Sequence, residues 1–233
     1  MTSPVHRSAL IVGAGPGLSA SLARLFAMND IAVALASRGI EKLAPLCAET
    51  GAVAYPCDAA DPGSVAALFA AVEEAQGAPD LVVYNASGRL RGAITDLDPA
   101  AVRDALAVGA FGGFLVTQQA ARRMLRAGRG AIALTGATAS VKGFPLSAGF
   151  AMDKFALRGL AQSLARELAP KGIHVAHFVI DGVIRGAGRQ DPAESPDSTL
   201  DPNAIAQAYW AILQQPRSAW TWEVELRPWV ERF

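Results

Sequence analysis

The chain has 233 residues, and its 21 basic side chains balance 21 acidic ones, so the formal net charge is zero. This length suits one domain, residues 1–233, with a sizeable core. Without a basic excess, we expect neither nucleic acid nor an anionic membrane as a partner. No signal-peptide core precedes the first apolar run, no run reaches the ~18–20 apolar residues of a membrane span, and the two cysteines form neither a disulfide framework nor a zinc motif. These features predict a cytoplasmic protein without a bound metal.

Strands and helices are predicted to alternate along the whole chain. Short apolar runs bounded by turn residues predict strands at 8–12, 31–37, 52–56, 80–84, 130–135, 174–180 and 223–227. Apolar residues at helical spacing predict helices at 17–29, 39–50, 62–76, 99–127, 147–169 and 202–214. Fully apolar strands such as Leu81–Tyr84 are typical of a parallel sheet covered on both faces. We therefore expect an α/β fold, a doubly wound parallel sheet of about seven strands with helices on both faces and ligands at the carboxyl ends of the strands.

The first predicted strand runs into a glycine-rich turn and then a helix. A helix N-terminus has free backbone N–H groups and the positive end of the helix dipole, so it can hold a pyrophosphate. Strand, turn and helix follow one another here in the order that a dinucleotide-binding unit requires. The sequence therefore predicts a cofactor-binding turn formed by Gly13, Gly15, Pro16, Gly17 and Leu18.

The spacing of this turn resembles that of the short-chain dehydrogenase/reductase family. The family has a G-x-x-x-G-x-G turn; Gly13 and Gly17 match its first two glycines, and Ser19 takes the place of the third. The third glycine mainly allows close packing of the helix on the strand, and serine is a tolerable substitute there. The resemblance implies a single Rossmann-type domain, a nicotinamide dinucleotide cofactor and oxidoreductase activity.

The end of the second predicted strand indicates which nicotinamide cofactor is preferred. Ser37 and Arg38 stand where an NAD-binding protein would have an acidic residue for the ribose 2′-hydroxyl. A guanidinium is always charged, and its donors suit a 2′-phosphate. We therefore predict NADP in preference to NAD.

Two further stretches resemble cofactor-binding segments of the family. Asp58 and Ala59, after the third strand, match its contact to the adenine, although Asp58 could instead cap a helix, a role that Asp61 suits better. Asn85-Ala86-Ser87, after the fourth strand, is similar to the family's Asn-Asn-Ala-Gly, with serine in place of the glycine. The alternative for Asn85 is an ordinary turn residue.

The catalytic pair is where the sequence departs from the family. The family's Tyr-x-x-x-Lys places both side chains on one helix face; its lysine lowers the pKa of the tyrosine and holds the nicotinamide ribose. Lys154 is in place here, but Phe150 stands at the tyrosine position and has no hydroxyl. The tyrosines of the chain lie outside this predicted helix, so realignment does not recover the pair.

Positions that support the pair in the family are also altered. The family's substrate-binding serine falls on Ala137, with Thr138 one residue further on, so Thr138 is either a substrate-binding hydroxyl or an ordinary loop residue. The family's proton-relay asparagine falls on Gly109, one of three glycines in one predicted helix. Because glycine weakens a helix by roughly 1 kcal/mol, these glycines indicate close packing or a bend.

The loop after the sixth strand resembles the family's Pro-Gly-x-Val. The resemblance implies that Gly182 and Ile184 lie near the nicotinamide amide. Asp181, at the proline position, is either a solvated loop acid or a proton donor, and Asp153 is either a helix cap or a second candidate donor. The following segment, 185–202, is rich in Gly, Pro, Asp and Ser and is either a surface connection or a substrate lid.

Three functions remain open because the cofactor side is nearly complete and the proton-transfer side is not. The first is an NADP(H)-dependent oxidoreductase that acts on a carbonyl, an alcohol or a related small molecule through a non-standard proton donor. The second is a non-catalytic NADP(H) sensor or regulator, and the third is an inactive partner subunit of an active relative. Small residues along 147–169 predict a homodimer or homotetramer, with Trp220, Trp222 and Trp229 in a second contact.

Overall fold

The computed structural model describes residues 6–231 and contains every predicted strand, with ends within one residue of those expected. The strands are β1 (Ser8–Val12), β2 (Ala32–Ser37), β3 (Val53–Pro56), β4 (Leu81–Tyr84), β5 (Gly130–Thr135), β6 (Ile173–Ile180) and β7 (Glu223–Leu226). The α-helices are α1 (Leu18–Met28), α2 (Ala44–Thr50), α3 (Pro62–Gln76), α4 (Pro99–Leu106), α5 (Gly112–Ala127), α6 (Ala148–Leu168) and α7 (Pro202–Leu213).

All seven strands form one parallel sheet in the order β3-β2-β1-β4-β5-β6-β7. The predicted doubly wound α/β fold is confirmed. The strand order reverses between β1 and β4, where Val12 pairs with Tyr84 on one side and Ala36 on the other. In such sheets a crevice opens at the carboxyl ends of the strands beside this reversal.

The core lies in two layers, one on each face of the sheet. On one face α1, α2 and α7 cover the strands, and Phe26 and Tyr209 are fully buried there. On the other face α3, α5 and α6 cover them, with Phe69, Val116 and Leu157 fully buried. Because both faces are covered, the central strands β1 and β4 are fully buried and almost continuously apolar, whereas the edge strand β7 alternates Glu223 and Glu225 with apolar residues.

Aspartates fix the starts of three helices. Asp61, Asp98 and Asp201 each accept a hydrogen bond from a backbone amide in the first helical turn, and a proline follows each of them. Proline suits the first helical position because its missing N–H has no partner there in any case. The prediction that Asp61 caps a helix is confirmed.

The long predicted helix 99–127 is interrupted by a π-helical turn, Ala107–Phe111, between α4 and α5. Its glycines make room for side chains of the same chain. A Cβ on Gly112 would lie 2.4 Å from the Tyr84 hydroxyl oxygen, and one on Gly113 would lie 2.5 Å from Leu157 Cδ1. The Tyr84 hydroxyl donates to the carbonyl of Val108 inside the π turn. The predicted close packing therefore involves side chains of the same chain.

Pro99–Ala127 is also the one stretch among residues 6–231 that is long and apolar enough to cross a membrane by length and composition. The sequence expectation concerned an uninterrupted apolar run, whereas this stretch contains charged residues such as Arg103 and Arg122 and meets a test of average hydropathy. In the fold, Leu115, Val116, Ala120 and Met124 pack into the core against β4 and β5. Core packing therefore accounts for part of the apolar character of this stretch, of whose most apolar window 39% is buried.

Candidate functional site

The turn between β1 and α1 is held tightly against the end of β4. Gly13 has φ +89°, and a Cβ on it would lie only 2.3 Å from the backbone nitrogen of Ala86. The Ser19 hydroxyl donates to the Gly13 carbonyl at 3.0 Å, and the Asn85 side-chain amide donates to the Ser19 oxygen at 2.8 Å. Ser19, which sequence comparison treats only as a small residue, thus links the turn to β4.

The remaining glycines of this turn leave space for a ligand. A Cβ on Gly15 or Gly17 would meet no atom within 4 Å, and Pro16 between them is exposed. Helix α1 begins at Leu18, and no side chain from the described residues caps it. The free amides of its first turn point to where a pyrophosphate would bind, so the residues present fit a dinucleotide.

Ser37 and Arg38, the residues predicted to determine the preference for NADP, lie at the carboxyl end of β2. Ser37 is buried and its hydroxyl donates to the Gly39 carbonyl at 3.2 Å. Arg38 is exposed and has no ion pair within residues 6–231. Its guanidinium is therefore available to a 2′-phosphate.

The further residues predicted to bind the cofactor lie in the segments that follow β3 and β4. Asp58 is exposed, and one of its carboxylate oxygens accepts from the Ala60 amide at 3.0 Å, which shapes the turn after β3. Ala59 is buried against Gly112. Ser87 is exposed in the segment that follows β4. The adenine contact therefore stays a prediction for Asp58 and Ala59.

Lys154 and Phe150 lie one helical turn apart on α6, as their spacing predicts. The Lys154 ammonium donates to the Thr135 carbonyl at 3.0 Å and is almost fully buried. Burial lowers the pKa of Lys154 to about 8, although the charge of Asp153 raises it. The Lys154 nitrogen lies 6.0 Å from the centroid of the Phe150 ring.

Asp153 is buried in the interior, and the expectation that it caps the start of the helix is wrong. Its side chain is completely inaccessible, and neither oxygen makes a hydrogen bond of normal geometry with the rest of residues 6–231. The carboxylate faces the π turn, where a Cβ on Gly109 would lie 1.8 Å from Oδ1. Burial raises the pKa of Asp153 to about 6, and the Lys154 charge and the Ala110 amide only partly offset this effect.

Two residues with hydroxyl groups, Thr138 and Ser140, lie in the short turn after β5. Thr138 begins a short 3₁₀ turn and is half-buried. Ser140, at the end of the same turn, is fully buried and accepts from the Ala137 amide at 3.1 Å. A substrate-binding role for Thr138 remains a prediction.

Asp181 is not a solvated loop acid. It is 2% exposed, and one oxygen lies 3.6 Å from the Lys142 ammonium and 3.4 Å from the Arg227 guanidinium. Its amide donates to the Leu226 carbonyl, which ties this loop to β7. Asp181 is therefore a buried ion-pair partner of Lys142 and Arg227.

The loop after β6 is packed against the end of the chain. Gly182 has φ +152°, and a Cβ on it would lie 2.9 Å from Pro228 Cδ. Ile184 pairs with Leu200, which closes the segment between them into a loop. Within that loop Arg185 forms an ion pair with Asp191 at 2.7 Å. The segment 185–202 is thus internally organised, which fits both the surface-connection and the lid interpretations.

One residue at the site was missed by sequence reasoning. The guanidinium carbon of Arg89, in the segment after β4, lies 6.0 Å from the centroid of the Phe150 ring. The available signal was its position, four residues beyond Asn85 at the carboxyl end of a strand where ligands bind.

Comparison with known proteins agrees with this geometry. Residues 7–195 match the short chain dehydrogenase family. A curated relative, the 3-oxoacyl-acyl-carrier-protein reductase MabA of Mycobacterium avium, is 31% identical over 180 residues, which are 77% of this chain and 68% of the relative.

Solved structures with a similar fold extend over nearly the whole chain. A short-chain dehydrogenase from Rhodopseudomonas palustris has 37% sequence identity and a TM-score of 0.84, with 96% of this chain and 99% of that protein covered. An alcohol dehydrogenase from the archaeon Thermococcus sibiricus, complexed with 5-hydroxy-NADP, has 25% identity and a TM-score of 0.86, with 97% and 98% covered. The parallel sheet, the glycine turn and these matches together show that the chain belongs to the short-chain dehydrogenase/reductase family of NAD(P)-binding oxidoreductases.

Proposed function

We propose that the protein is an NADP(H)-dependent oxidoreductase that interconverts a carbonyl and an alcohol on a small molecule without a catalytic tyrosine. The observation that carries the proposal is the buried Lys154 ammonium, held by the Thr135 carbonyl beside the Phe150 ring. Burying an ammonium is unfavourable, so its position here supports a role that uses the charge.

The cofactor-binding residues divide among three parts of the cofactor. The open turn at Gly15 and Gly17 and the start of α1 hold the pyrophosphate, Arg38 holds the 2′-phosphate, and Lys154 holds the nicotinamide ribose. The bound nicotinamide supplies hydride transfer with the substrate carbon. The solved relative that contains 5-hydroxy-NADP supports the assignment of NADP.

The Lys154 ammonium is the group best placed to supply the proton to the substrate, because Phe150 has no hydroxyl that could donate it. An ammonium has three donors, and the Thr135 carbonyl accepts from one of them. A pKa of about 8 keeps the group charged at neutral pH and close to the range in which a general acid is efficient. In reduction, an N–H proton of Lys154 passes to the substrate oxygen as the carbon gains hydride.

Asp153 is the positioning residue for this acid. Its negative charge raises the pKa of the Lys154 ammonium against the opposing effect of burial. Its carboxylate fills the space beside Gly109 and so fixes the helix turn that carries Lys154. Thr138 is the further candidate for holding the substrate oxygen.

The test is NADPH consumption with a panel of aldehydes and ketones. We expect wild-type turnover and a loss of at least about 100-fold in Lys154→Ala, because a positioned general acid contributes typically 10²–10⁴. Lys171→Ala is the matched control, since Lys171 is exposed and paired only with Glu167 on the surface. Tight NADPH binding without turnover of any carbonyl would overturn the proposal.

A non-catalytic role is the second candidate, and Phe150 favours it because the ring offers no acid. A sensor or regulator would bind NADPH and change its affinity for a partner, and an inactive partner subunit would co-purify with an active relative. Partner binding measured with and without NADPH identifies the first of these roles, and co-purification of an active relative identifies the second.

We also propose that the protein forms a homodimer or homotetramer through α5 and α6. The exposed apolar residues of this region include Phe111 and Phe114, whose ring centroids are 6.2 Å apart, and Met152 and Phe155. The predicted second contact rests on tryptophans of the C-terminal segment. Trp229 is 79% exposed, Trp220 stacks on His174, and Trp222 lies beside Arg158.

A further inference from the structure

Three arginines lie in two segments at the carboxyl edge of the sheet, and the guanidinium carbon of one of them, Arg89, lies 6.0 Å from the centroid of the Phe150 ring. Arg89 and Arg91 lie in the segment after β4, and Arg189 lies in the loop after β6; we refer to them as the arginine cluster. The charges of Arg91 and Arg189, together with burial, lower the pKa of Arg89. The backbone fixes both segments, since the Gly92 amide donates to the Leu146 carbonyl at 3.0 Å and Gly186 and Arg189 exchange two backbone hydrogen bonds.

The arginine cluster has no counter-charge within residues 6–231, because none of its members forms an ion pair there. Other arginines nearby are neutralised: Arg185, in the same loop as Arg189, pairs with Asp191 at 2.7 Å, and Arg103 pairs with Asp104 at 2.9 Å. Like charges at short range repel one another. An anion from outside the chain would relieve that repulsion and gain charge-assisted hydrogen bonds.

The position of the cluster assigns the anion to the substrate rather than to the cofactor. The Arg89 guanidinium carbon and the Lys154 nitrogen each lie 6.0 Å from the centroid of the same Phe150 ring. The phosphate-binding features lie elsewhere, at the start of α1 and at Arg38 after β2. A group bound at Arg89 therefore lies near the same Phe150 ring as the proposed proton donor.

We propose that the arginine cluster binds a carboxylate or phosphate on the substrate whose carbonyl is reduced beside Lys154. Arg89 contacts the anionic group directly, Arg91 and Arg189 add positive potential from the rim, and the Phe150 ring packs against the apolar carbons between anion and carbonyl. This substrate class rests on the proposed oxidoreductase function. It is consistent with the loss of the tyrosine hydroxyl, because the anion orients the substrate that the hydroxyl would otherwise help to place.

The first experiment measures binding to the NADP⁺-saturated protein by calorimetry, because the oxidised cofactor cannot reduce the carbonyl probes. The probes are acetoacetate and 3-oxooctanoate, each compared with its methyl ester, and dihydroxyacetone phosphate, which separates a phosphate preference from a carboxylate preference. We expect at least one of the two anion types to bind, and a carboxylate site to favour each acid over its ester by about 10- to 100-fold, the range of a charge-assisted contact. Arg89→Gln removes the preference, and Arg103→Gln, in an exposed ion pair on α4, keeps it.

A second measurement separates positioning from general loss of structure. Arg89→Lys keeps the charge but loses the two-pronged geometry, so we expect it to retain part of the anion affinity that Arg89→Gln loses. NADPH affinity is expected to be unchanged in all three variants.

Two outcomes decide between this inference and the function on which it rests. If neutral esters are reduced as well as acids, and Arg89→Gln changes neither, the anion site is wrong and the oxidoreductase stands. If anions bind through Arg89 but no carbonyl is reduced, the site stands as a ligand-binding site and both the oxidoreductase and the assignment of the anion to its substrate are wrong.

Discussion

The carboxylate of Asp153 occupies the space that a side chain at residue 109 would need. A Cβ on Gly109 would lie 1.8 Å from Oδ1 and 2.0 Å from Oδ2 of Asp153, and both residues are buried. The glycine and the acid are therefore a matched pair, one in the π turn and the other on α6. This pair replaces the asparagine that the family resemblance implies at residue 109.

Gly109→Ala is expected to destabilise the protein. The added methyl group overlaps the Asp153 carboxylate, and overpacking of this kind costs about 1–3 kcal/mol. Gly159→Ala is the control on α6: within one chain a Cβ there meets nothing within 4 Å, so at a protein concentration low enough to keep the chain monomeric the change is expected to stabilise by about 0.5–1 kcal/mol. Urea unfolding at matched protein concentration measures both.

The double variant Gly109→Ala/Asp153→Ala tests the pairing itself. Removing the carboxylate opens the space that the new methyl group needs, so the two changes are expected to be non-additive and the double variant more stable than Gly109→Ala alone. Strictly additive effects would show that the two residues do not interact.

Asp153 is expected to make stability depend on pH between about 4 and 6. Its pKa rises from 3.8 to about 6 in the folded protein. The folded state therefore binds more protons than the unfolded state in this window, and stability falls as pH rises through it. About two pKa units correspond to at most about 3 kcal/mol. Lys154 adds no slope there, because its lowered pKa of about 8 leaves it charged in both states.

Asp153→Asn is the variant that isolates this effect, because it keeps the shape and removes the charge. It is expected to be more stable than wild type at pH 7, with the difference largely lost at pH 4. The groups that face the carboxylate, Lys154 and Tyr84, are unchanged in the variant. A stability difference that is equal at both pH values would rule out the carboxyl as its source.

Association is expected to depend on the apolar surface of α5 and α6. Phe155 is 45% exposed and Phe114 is 42% exposed, so Phe155→Glu and Phe114→Glu place charges on the proposed contact. Light scattering is expected to show oligomers for wild type and smaller species for these variants. Met28→Glu is the control, since Met28 is 81% exposed at the end of α1, remote in sequence from both helices. A monomeric wild type at micromolar concentration contradicts the prediction.

NADPH is expected to bind more tightly than NADH. Arg38 is exposed at the end of β2, and its contact to the 2′-phosphate is worth about 10- to 150-fold in affinity. Ser37→Asp with Arg38→Ala is expected to reverse the order, because a carboxylate repels the phosphate and accepts from a free 2′-hydroxyl. Fluorescence titration with each cofactor measures the two affinities. Equal titration curves of the parent protein for NADPH and NADH would show that the preference for NADP is wrong.

The fold could be predicted from local patterns because the chain is consistent at every level. Apolar runs of strand length, helical spacing and turn residues all indicate the same alternation, and strand ends fall within one residue of expectation. The π turn at Ala107–Phe111 could not be predicted, since it arises from packing of Tyr84 and Asp153 from distant parts of the chain. Only the assembled sheet brings these side chains to the glycines.

The parts of the site that depend on residue spacing along the backbone could be predicted. The parts that depend on contacts between side chains distant in sequence could not. Gly13, Lys154 and Phe150 lie where their spacing placed them. Asp181 and Asp153 were misjudged because burial depends on partners far away in sequence, such as Arg227 and Gly109. Arg89 was missed because an arginine in a loop carries no local signal until the Phe150 ring is packed against it.

At residue 150, one oxygen atom separates the phenylalanine of this chain from the tyrosine of the family's catalytic pattern. Phe150→Tyr adds a hydroxyl without changing the ring, which already lies 6.0 Å from the Lys154 nitrogen. A lysine one turn along the helix favours the ionised phenol and lowers its pKa, which suits a general acid. We expect NADPH-dependent reduction of a small activated carbonyl to rise by at least about tenfold, within the 10²–10⁴ that a positioned acid typically contributes.

Ala137→Ser is expected to add to this gain, because it supplies the substrate-binding hydroxyl that the family resemblance implies at that position. Phe150→Leu is the control: it removes the ring without supplying an acid, so it is not expected to raise the rate. The gain is limited because Gly109 carries no relay side chain and Asp153 fills that space. If the double variant binds NADPH normally and reduces nothing in a broad carbonyl panel, the pocket beside Lys154 is closed to substrates, and the sensor or partner role becomes the better account of the chain.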